Sequence, residues 1–275
     1  MRWMHALSRL MSRRNVPPTG DWDAAGLRAD PPVCIIGDLH GRMDLLTQML
    51  AQIAEQPQAD TARRIIVGDM IDRGPDSIAV LRHLHAQHRT SPDTTVCLMG
   101  NHERMMLDFL ADPDRHGPRW IAAGGSETLA SAGAAPWGRV PMTQLAAQLR
   151  TALGPDLLGW VQDLPLCWQA PGIGATHAGA DPALDLAQQP ATRLLWGARG
   201  TVEHARTDGM WIAQGHDIVP RARLTKGRIM VDTGAWRSGL LSAVWIDKTG
   251  PCMMQAQMPG NALDLGKKHG AAQRK

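Results

Sequence analysis

The chain has 275 residues and a formal net charge of +3, and hydrophobic residues make up 44% of it. A chain of this length and apolar content can bury a large core, which excludes a disordered protein. The charge excess is too small to indicate nucleic-acid binding. The four cysteines form no C-x-x-C pair. They therefore argue against a disulfide framework or a cysteine zinc site, and they favour a reducing, cytoplasmic location.

The N-terminal residues 1–32 predict a flexible arm ahead of the folded domain. Residues 1–14 are basic and faintly amphipathic but lack the apolar stretch of a secretory signal. The residues that follow are rich in Pro, Gly and Asp. No apolar run in the chain approaches the ~18 residues that span a bilayer, so we expect no stable membrane association.

Short apolar runs followed by polar clusters recur along the chain and predict buried strands. The runs cover residues 33–36, 65–67, 96–99, 173–175, 210–213, 229–231 and 241–246. Amphipathic helices are predicted between the early runs, over 43–54, from 77 onward and over 102–110. This alternation predicts an α/β fold in which chemical groups collect beyond the carboxyl ends of the strands.

A mostly helical pattern without His or Asp clusters covers residues 118–165. We interpret it as a small helical cap inserted in a domain of residues 33–258. Residues 166–176 predict a hairpin with a Pro-Gly turn that returns to the sheet. The segment 259–275 predicts a loose basic tail.

Five polar clusters follow the predicted strands directly. They read GDLHG at 37–41, GDMIDRG at 68–74, GNHE at 100–103, THAG at 176–179 and QGHD at 214–217. Each cluster alone is weak, because Gly-Asp is usually a turn and a lone His is usually structural. Together they place six potential metal ligands at strand ends: Asp38, His40, Asp69, Asn101, His177 and His216.

The chemistry of these six side chains indicates a metal centre. Carboxylate, imidazole and amide-oxygen ligands without a thiolate suit Mn²⁺, Fe or Zn better than Ca²⁺. Six side chains can hold two ions that share one carboxylate.

The five clusters, in this order, resemble the phosphoprotein phosphatase family of calcineurin-like metallophosphoesterases, in particular its bacterial Ser/Thr phosphatase branch. The resemblance runs from about residue 33 to residue 246. It implies a β-sandwich flanked by helices, which the strand pattern alone does not distinguish from a doubly wound sheet. It also implies two divalent metal ions, Mn²⁺ first, with Fe or Zn as alternatives.

The resemblance implies a metal role for each ligand candidate. Asp38, His40 and Asp69 would bind the first ion. Asp69 would bridge to the second ion, which the remaining three side chains complete: Asn101, His177 and His216. The turn at 232–234 follows the family pattern and is expected to be structural.

The resemblance also implies catalytic roles. His102 matches the general acid of the family, Asp72 its orienting partner, and Arg73 a phosphate-gripping arginine. Arg199 follows the LLW segment at 194–196 and is the candidate for a second phosphate-binding arginine. Arg193 and Arg206 are the alternatives for that role.

The function implied is a metal-dependent phosphomonoesterase that hydrolyses phosphoserine or phosphothreonine in phosphoproteins by direct attack of a metal-bound hydroxide. A symmetrical dinucleoside-tetraphosphate hydrolase is the alternative, and a non-catalytic binding module is the third hypothesis. Asp72 stands where the tetraphosphatase branch has a non-acidic residue, which favours the monoesterase. The binding module is disfavoured because every expected ligand is present.

Overall fold

The protein, described here from a computed structural model over residues 24–134, 140–198, 206 and 208–258, contains two five-stranded sheets packed face to face. The strands are β1 Val33–Ile36, β2 Arg63–Ile66, β3 Thr95–Cys97, β4 Cys167–Ala170, β5 Ile173–Thr176, β6 Trp211–Gln214, β7 Arg223–Thr225, β8 Arg228–Met230, β9 Leu240–Asp247 and β10 Gly250–Gln257. The helices are α1 Met43–Ala54, α2 Ser77–Thr90, α3 Asn101–Ala111, α4 Pro113–Trp120, α5 Ser126–Ser131, α6 Met142–Gln162, α7 Ala191–Trp196 and α8 Ala235–Ser238. A π-helical turn, Ile121–Gly125, joins α4 to α5.

The first sheet has the strand order β10-β9-β1-β2-β3, and the second has β4-β5-β6-β8-β7. Strands β1, β2 and β3 are parallel, as are β5, β6 and β8, whereas β4, β7, β9 and β10 pair in the antiparallel sense. The predicted hairpin is confirmed in the β4–β5 pair. These two mixed sheets with flanking helices confirm the sandwich that the resemblance implied.

The central strands of the sheets carry apolar side chains on both faces, because one face packs in the core between the sheets and the other in a second core. In β1, Val33 and Ile35 join the core between the sheets, while Cys34 and Ile36 join the core beneath the helices. Strands buried on both faces produce uninterrupted apolar runs. This is why the short runs in the sequence predicted the strands well.

Helices α1–α6 cover the outer face of the first sheet. The buried side chains of α1 recur every three or four residues, as the sequence pattern predicted. From the segment 118–165, Trp120, Leu145 and Leu149 belong to the same core as Ile36. The role of this segment as a cap stays a prediction, but its apolar face is buried in the core of the domain.

Both ends of the described chain lie against the sandwich. Leu27 is buried between the sheets, and the Ala29 amide donates to the Asp247 carbonyl at 3.2 Å. The rest of the predicted arm, residues 1–23, and the predicted tail lie outside the described residues. No helix within the described ranges is long and apolar enough to cross a membrane.

Two strands were not predicted from the sequence. β10 pairs with β9 along its whole length, yet its residues, GPCMMQAQ, contain no β-branched or aromatic side chain. β7 is a three-residue edge strand. Both owe their conformation to a neighbouring strand, and local sequence carries little of that information.

Candidate active site

The loops that leave five strands converge at one edge of the sandwich. The first sheet contributes the loops after β1, β2 and β3, and the second contributes those after β5 and β6. Five of the predicted site residues have positive φ: His40, Asp69, Asp72, Arg73 and His216. A non-glycine residue in this region costs about 1–3 kcal/mol and persists only when its surroundings impose it.

Asp69 lies at the centre of the ligand candidates. Its Oδ2 is 3.5 Å from His40 Nε2, and its Oδ1 is 3.4 Å from His177 Nε2. His40 Nδ1 lies 2.8 Å from the Ile71 carbonyl, and His177 Nδ1 lies 3.0 Å from the Val67 carbonyl. Because each Nδ1 can donate its proton to a carbonyl, each Nε2 is left as a lone pair directed toward Asp69.

A second set of ligand atoms surrounds Asn101. Its Oδ1 lies 2.8 Å from His177 Nε2 and 2.9 Å from His216 Nδ1. Two three-residue groups therefore have potential ligand atoms within 4.8 Å of one another: His40, Asp69 and His102, and Asp69, His177 and His216. Asp69 belongs to both groups, and the ligand atoms of each group could hold a metal ion.

Asp38 presents a buried carboxylate to the same place. Its Oδ2 accepts the His216 amide at 3.0 Å, whereas its Oδ1 has no hydrogen-bond partner among the described residues. A Cβ at Gly215 would stand 1.9 Å from that Oδ1, so the approach requires glycine. Burial raises the pKa of Asp38 well above its usual range, and the charges of Asp232 and Asp69 raise it further. A bound cation would satisfy such an oxygen.

The site holds more buried acid than base. Burial, with the charge of Asp69, raises the pKa of Glu103 to about 7, and burial raises that of Asp232 to about 6. Burial lowers the pKa of His40 to about 3 and that of His177 to about 4, so both imidazoles are neutral, as metal ligands must be. The donor set and its excess negative charge fit divalent metal ions.

His102 and Asp72 form a buried pair beside the ligand cluster. His102 Nδ1 lies 2.6 Å from Asp72 Oδ2, which also accepts the Trp120 indole N–H at 2.9 Å. Thr128 Oγ1 donates to the other oxygen, Oδ1, at 2.6 Å. Burial lowers the pKa of His102, but the carboxylates of Asp69 and Asp72 outweigh it and raise the pKa above its ordinary value. The pair can therefore hold a proton at His102.

The Arg73 guanidinium faces the same space. Its Nη1 lies 3.0 Å from His40 Nε2, and its Nη2 lies 3.0 Å from His102 Nε2. Two adjacent nitrogens directed to one place suit the oxygens of a phosphate group.

Glu103 has a structural role that the sequence reasoning did not assign. Its Oε2 accepts the amides of Gly100 and Asp69 at 2.8 and 2.9 Å, and its Oε1 accepts those of Met70 and Ile71 at 2.8 and 3.3 Å. A Glu at the third position of a helix is a known capping signal, and GNHE carries it. That signal could have identified the Gly100 contact, but not the three amides from the other loop.

A cleft of about 700 Å³ opens beside His216. It is lined by Arg104, which pairs with Asp108, and by Arg119, whose Cζ lies 5.1 Å from the centre of the Trp196 indole. Arg104 and Arg119 were not predicted as site residues, because they belong to different helices and share no motif.

The second phosphate-binding arginine stays a prediction. Arg199 lies outside the described residues. The Arg206 guanidinium pairs with Asp208 and donates to the carbonyls of Asp181 and Leu184 at 3.1 and 3.3 Å. In the turn at 232–234 the Gly234 amide donates to Asp232 Oδ1 at 2.7 Å, and the purely structural role of this turn stays a prediction.

Comparisons with known proteins agree with this geometry. A serine/threonine-protein phosphatase 2 of Escherichia coli (strain K12) is 41% identical over 93 residues, which cover 34% of this chain and 38% of that protein. A symmetrical bis(5'-nucleosyl)-tetraphosphatase of Klebsiella pneumoniae (strain 342) is 29% identical over 161 residues, 57% of this chain and 47% of that protein. The chain thus matches less than half the length of either relative.

A solved protein serine/threonine phosphatase from Saccharomyces cerevisiae superposes with a TM-score of 0.56 at 13% identity, over 83% of this chain and 80% of that one. This likeness concerns the fold alone. The model of the calcineurin-like phosphoesterase family matches residues 31–195. With this match over more than half of its length, the chain belongs to the calcineurin-like phosphoesterase family.

Proposed function

We propose that this protein is a metal-dependent phosphomonoesterase that removes phosphate from phosphoserine and phosphothreonine in proteins. The observation that carries the proposal is the 2.6 Å pair of His102 Nδ1 and Asp72 Oδ2 beside the ligand cluster. A built-in proton donor is needed where the leaving group is a basic alkoxide.

The six ligand candidates would hold two divalent ions, Mn²⁺ first: Asp38, His40, Asp69, Asn101, His177 and His216. When bound, the ions supply an activated water as the nucleophile and neutralise the phosphate oxygens. Asp69 would bridge the ions, since its two oxygens face His40 and His177 from opposite sides. Arg73 would orient the phosphate through its two Nη atoms, so that the ester oxygen faces His102.

His102 would donate the proton through Nε2, because its Nδ1 is engaged by Asp72, and the Arg73 Nη2 that lies 3.0 Å from Nε2 would contact the bound phosphate instead. Asp72 is in turn held by Trp120 and Thr128, so the imidazole keeps one orientation. The proton passes to the ester oxygen as its bond to phosphorus breaks, and serine or threonine leaves as a neutral alcohol.

A symmetrical dinucleoside-tetraphosphate hydrolase is the alternative function, supported by the relative at 29% identity. Its leaving group is a nucleotide phosphate, which departs as a stable anion and needs less protonation. The buried acid at position 72 and its three hydrogen-bond donors therefore favour an ester substrate.

A substrate panel on Mn²⁺-reconstituted protein tests the proposal. It compares kcat/KM for a phosphoserine peptide, a phosphotyrosine peptide and diadenosine tetraphosphate, with and without a chelator. We expect the phosphoserine peptide to be preferred and every activity to disappear with the chelator. A preference for diadenosine tetraphosphate would overturn the proposal in favour of the alternative.

A further inference from the structure

Trp236 is an exposed tryptophan at the edge of the candidate site, and neither the motifs nor the proposed roles account for it. Only three large apolar side chains are exposed in the described part of the chain: Ile218, Trp236 and Met258. Trp236 lies in the short helix α8, directly after the turn formed by Asp232. An exposed indole can offer its face to a nearby cation.

The Trp236 ring contacts Arg73. Its guanidinium carbon lies 5.1 Å from the centre of the Trp236 ring, within the range of a cation–π contact. The Arg237 guanidinium lies farther from the same ring, at 5.9 Å. The indole therefore makes its nearer charged contact with the side chain that faces the ligand cluster.

The rest of Arg73 is fixed by the π-helical turn Ile121–Gly125. The Gly124 carbonyl accepts the Arg73 amide at 3.0 Å, and the Ala123 carbonyl accepts Nε at 3.4 Å. A Cβ at Gly124 would stand 2.6 Å from Arg73 Cγ, so the turn closes tightly around the base of the side chain. The turn therefore holds the backbone and the first carbons of the Arg73 side chain, and the Trp236 ring supports the guanidinium.

We propose that Trp236 is a positioning residue for Arg73. Its ring holds the guanidinium with its Nη atoms 3.0 Å from His40 Nε2 and His102 Nε2, beside the place where the phosphate would bind. This inference rests on the proposed function only in requiring that the site binds phosphate. Without the Trp236 ring, the Arg73 side chain would sample other rotamers. Its two hydrogen bonds to the phosphate would then form at a greater cost in conformational entropy.

The experiment replaces the ring in two ways. Trp236→Leu keeps an apolar side chain without a π face, whereas Trp236→Phe keeps an aromatic ring. Met258→Ala is the matched control, because Met258 is exposed to a similar degree and has no place in the site. The readouts are the dissociation constant of inorganic phosphate for the Mn²⁺-loaded protein by calorimetry, and KM and kcat for p-nitrophenyl phosphate.

We expect Trp236→Leu to weaken phosphate binding and raise KM by about 2- to 30-fold, the usual range of a cation–π contact, with a smaller change in kcat. Trp236→Phe should recover most of that loss, and Met258→Ala should leave phosphate binding unchanged. In an Arg73→Ala background, Trp236→Leu should cause no further loss of kcat/KM, because the side chain through which the ring acts is gone.

Equal losses from Trp236→Leu in the presence and absence of Arg73 would overturn the proposal, since the ring would then act on the substrate or the fold directly. Equal losses of phosphate affinity in Trp236→Leu and Trp236→Phe would also overturn the proposal. If the protein cleaves p-nitrophenyl phosphate but not the phosphoserine peptide, the proposed function is refuted. The role of Trp236 can still be tested in that case, because KM and kcat for p-nitrophenyl phosphate remain measurable. If neither compound is cleaved, the phosphate dissociation constants of the single variants decide it.

Discussion

Burial and the amide groups of a helix N-terminus disfavour the charged form of His102, whereas two carboxylates favour it. The side chain lies in the first turn of α3, where the free amide groups disfavour an imidazolium. The carboxylates of Asp69 and Asp72 favour it and raise its pKa. An acid of this kind is useful in proportion to how strongly the leaving group needs a proton.

We predict that His102→Asn lowers kcat on a phosphoserine peptide by about 10²–10⁴-fold and has a much smaller effect on p-nitrophenyl phosphate. The nitrophenolate leaves readily without a proton, whereas the serine alkoxide does not. In the unsubstituted protein, kcat on the peptide should fall as pH rises through the pKa of His102, because the acid form is lost. That fall should be absent in the variant.

Asp72→Asn is the companion change for His102. It disturbs the orientation of the imidazole without removing it, so the same preference for the good leaving group should appear in milder form. Metal content should remain unchanged in both variants, which would separate the acid role of His102 from a ligand role, since His102 also belongs to one group of potential ligand atoms. Equal losses on both substrates would contradict the role of His102 as the acid.

For Asp69 we predict that Asp69→Asn reduces metal content at both positions, since this side chain contributes to both groups of ligand atoms. Elemental analysis after exhaustive dialysis measures the number of ions per chain. Asp217→Asn is the control, because Asp217 follows the ligand candidate His216 directly but is exposed. Retention of two ions by Asp69→Asn would show that the bridge is assigned to the wrong residue.

Between elements, Glu103 ties helix α3 to the loop after β2. Four backbone amides converge on its two oxygens, and three of them belong to the loop that carries Asp69 and Asp72. The site therefore depends on an interaction between two segments as well as on its ligands.

We predict that Glu103→Gln destabilises the metal-free protein by about 1–3 kcal/mol, because the new NH₂ group faces backbone donors and leaves them without an acceptor. Denaturant unfolding measures the loss, and calorimetric Mn²⁺ titration should show weaker binding. Glu127→Gln is the matched control, since Glu127 accepts only the hydroxyl of its neighbour Ser126 among the recorded side-chain bonds. If Glu103→Gln were as stable as Glu127→Gln, Glu103 would not stabilise the contact between α3 and the loop after β2.

Sequence predicts the elements of this protein unevenly. The buried strands β1 and β2 and the helix α1 were predicted because each has a local pattern that its packing requires. β10 was missed because its conformation comes from pairing with β9.

The site shows the same division between local and distant information. The ligand candidates lie in motifs, and the structure brings all six together. The hydrogen bonds from Trp120 and Thr128 to Asp72 span 48 and 56 residues, and no motif records them. They also link the predicted cap to Asp72, the partner of the proposed proton donor His102, so a change in that segment would reach the chemistry.

At the scale of the molecule, the ligand candidates come from both sheets. Those after β1, β2 and β3 belong to the first sheet, and those after β5 and β6 belong to the second. Strand periodicity identified the buried strands but did not divide them between two sheets. That division came from the family resemblance, because apolar periodicity does not record which strands pair.

We predict that Mn²⁺ raises the thermal midpoint of chelator-treated protein by about 5–10 °C at a hundredfold excess over its dissociation constant, because the ions bind only the folded arrangement. Scanning calorimetry with and without the chelator measures the shift. Asp69→Asn should show a much smaller rise under the same conditions. A midpoint insensitive to Mn²⁺ would contradict a metal centre that joins the two sheets.

The hydrogen bond from the His216 amide to Asp38 joins residues that are 178 positions apart in the chain. A ribosome that adds about 5–20 residues per second would need roughly 10–35 s to cover that distance. During this interval Asp38, His40, Asp69 and Asn101 are already synthesised, while His216 is not. A nascent chain therefore carries four of the six ligand candidates before the second sheet exists, and the complete set can form only after β6 has emerged and docked.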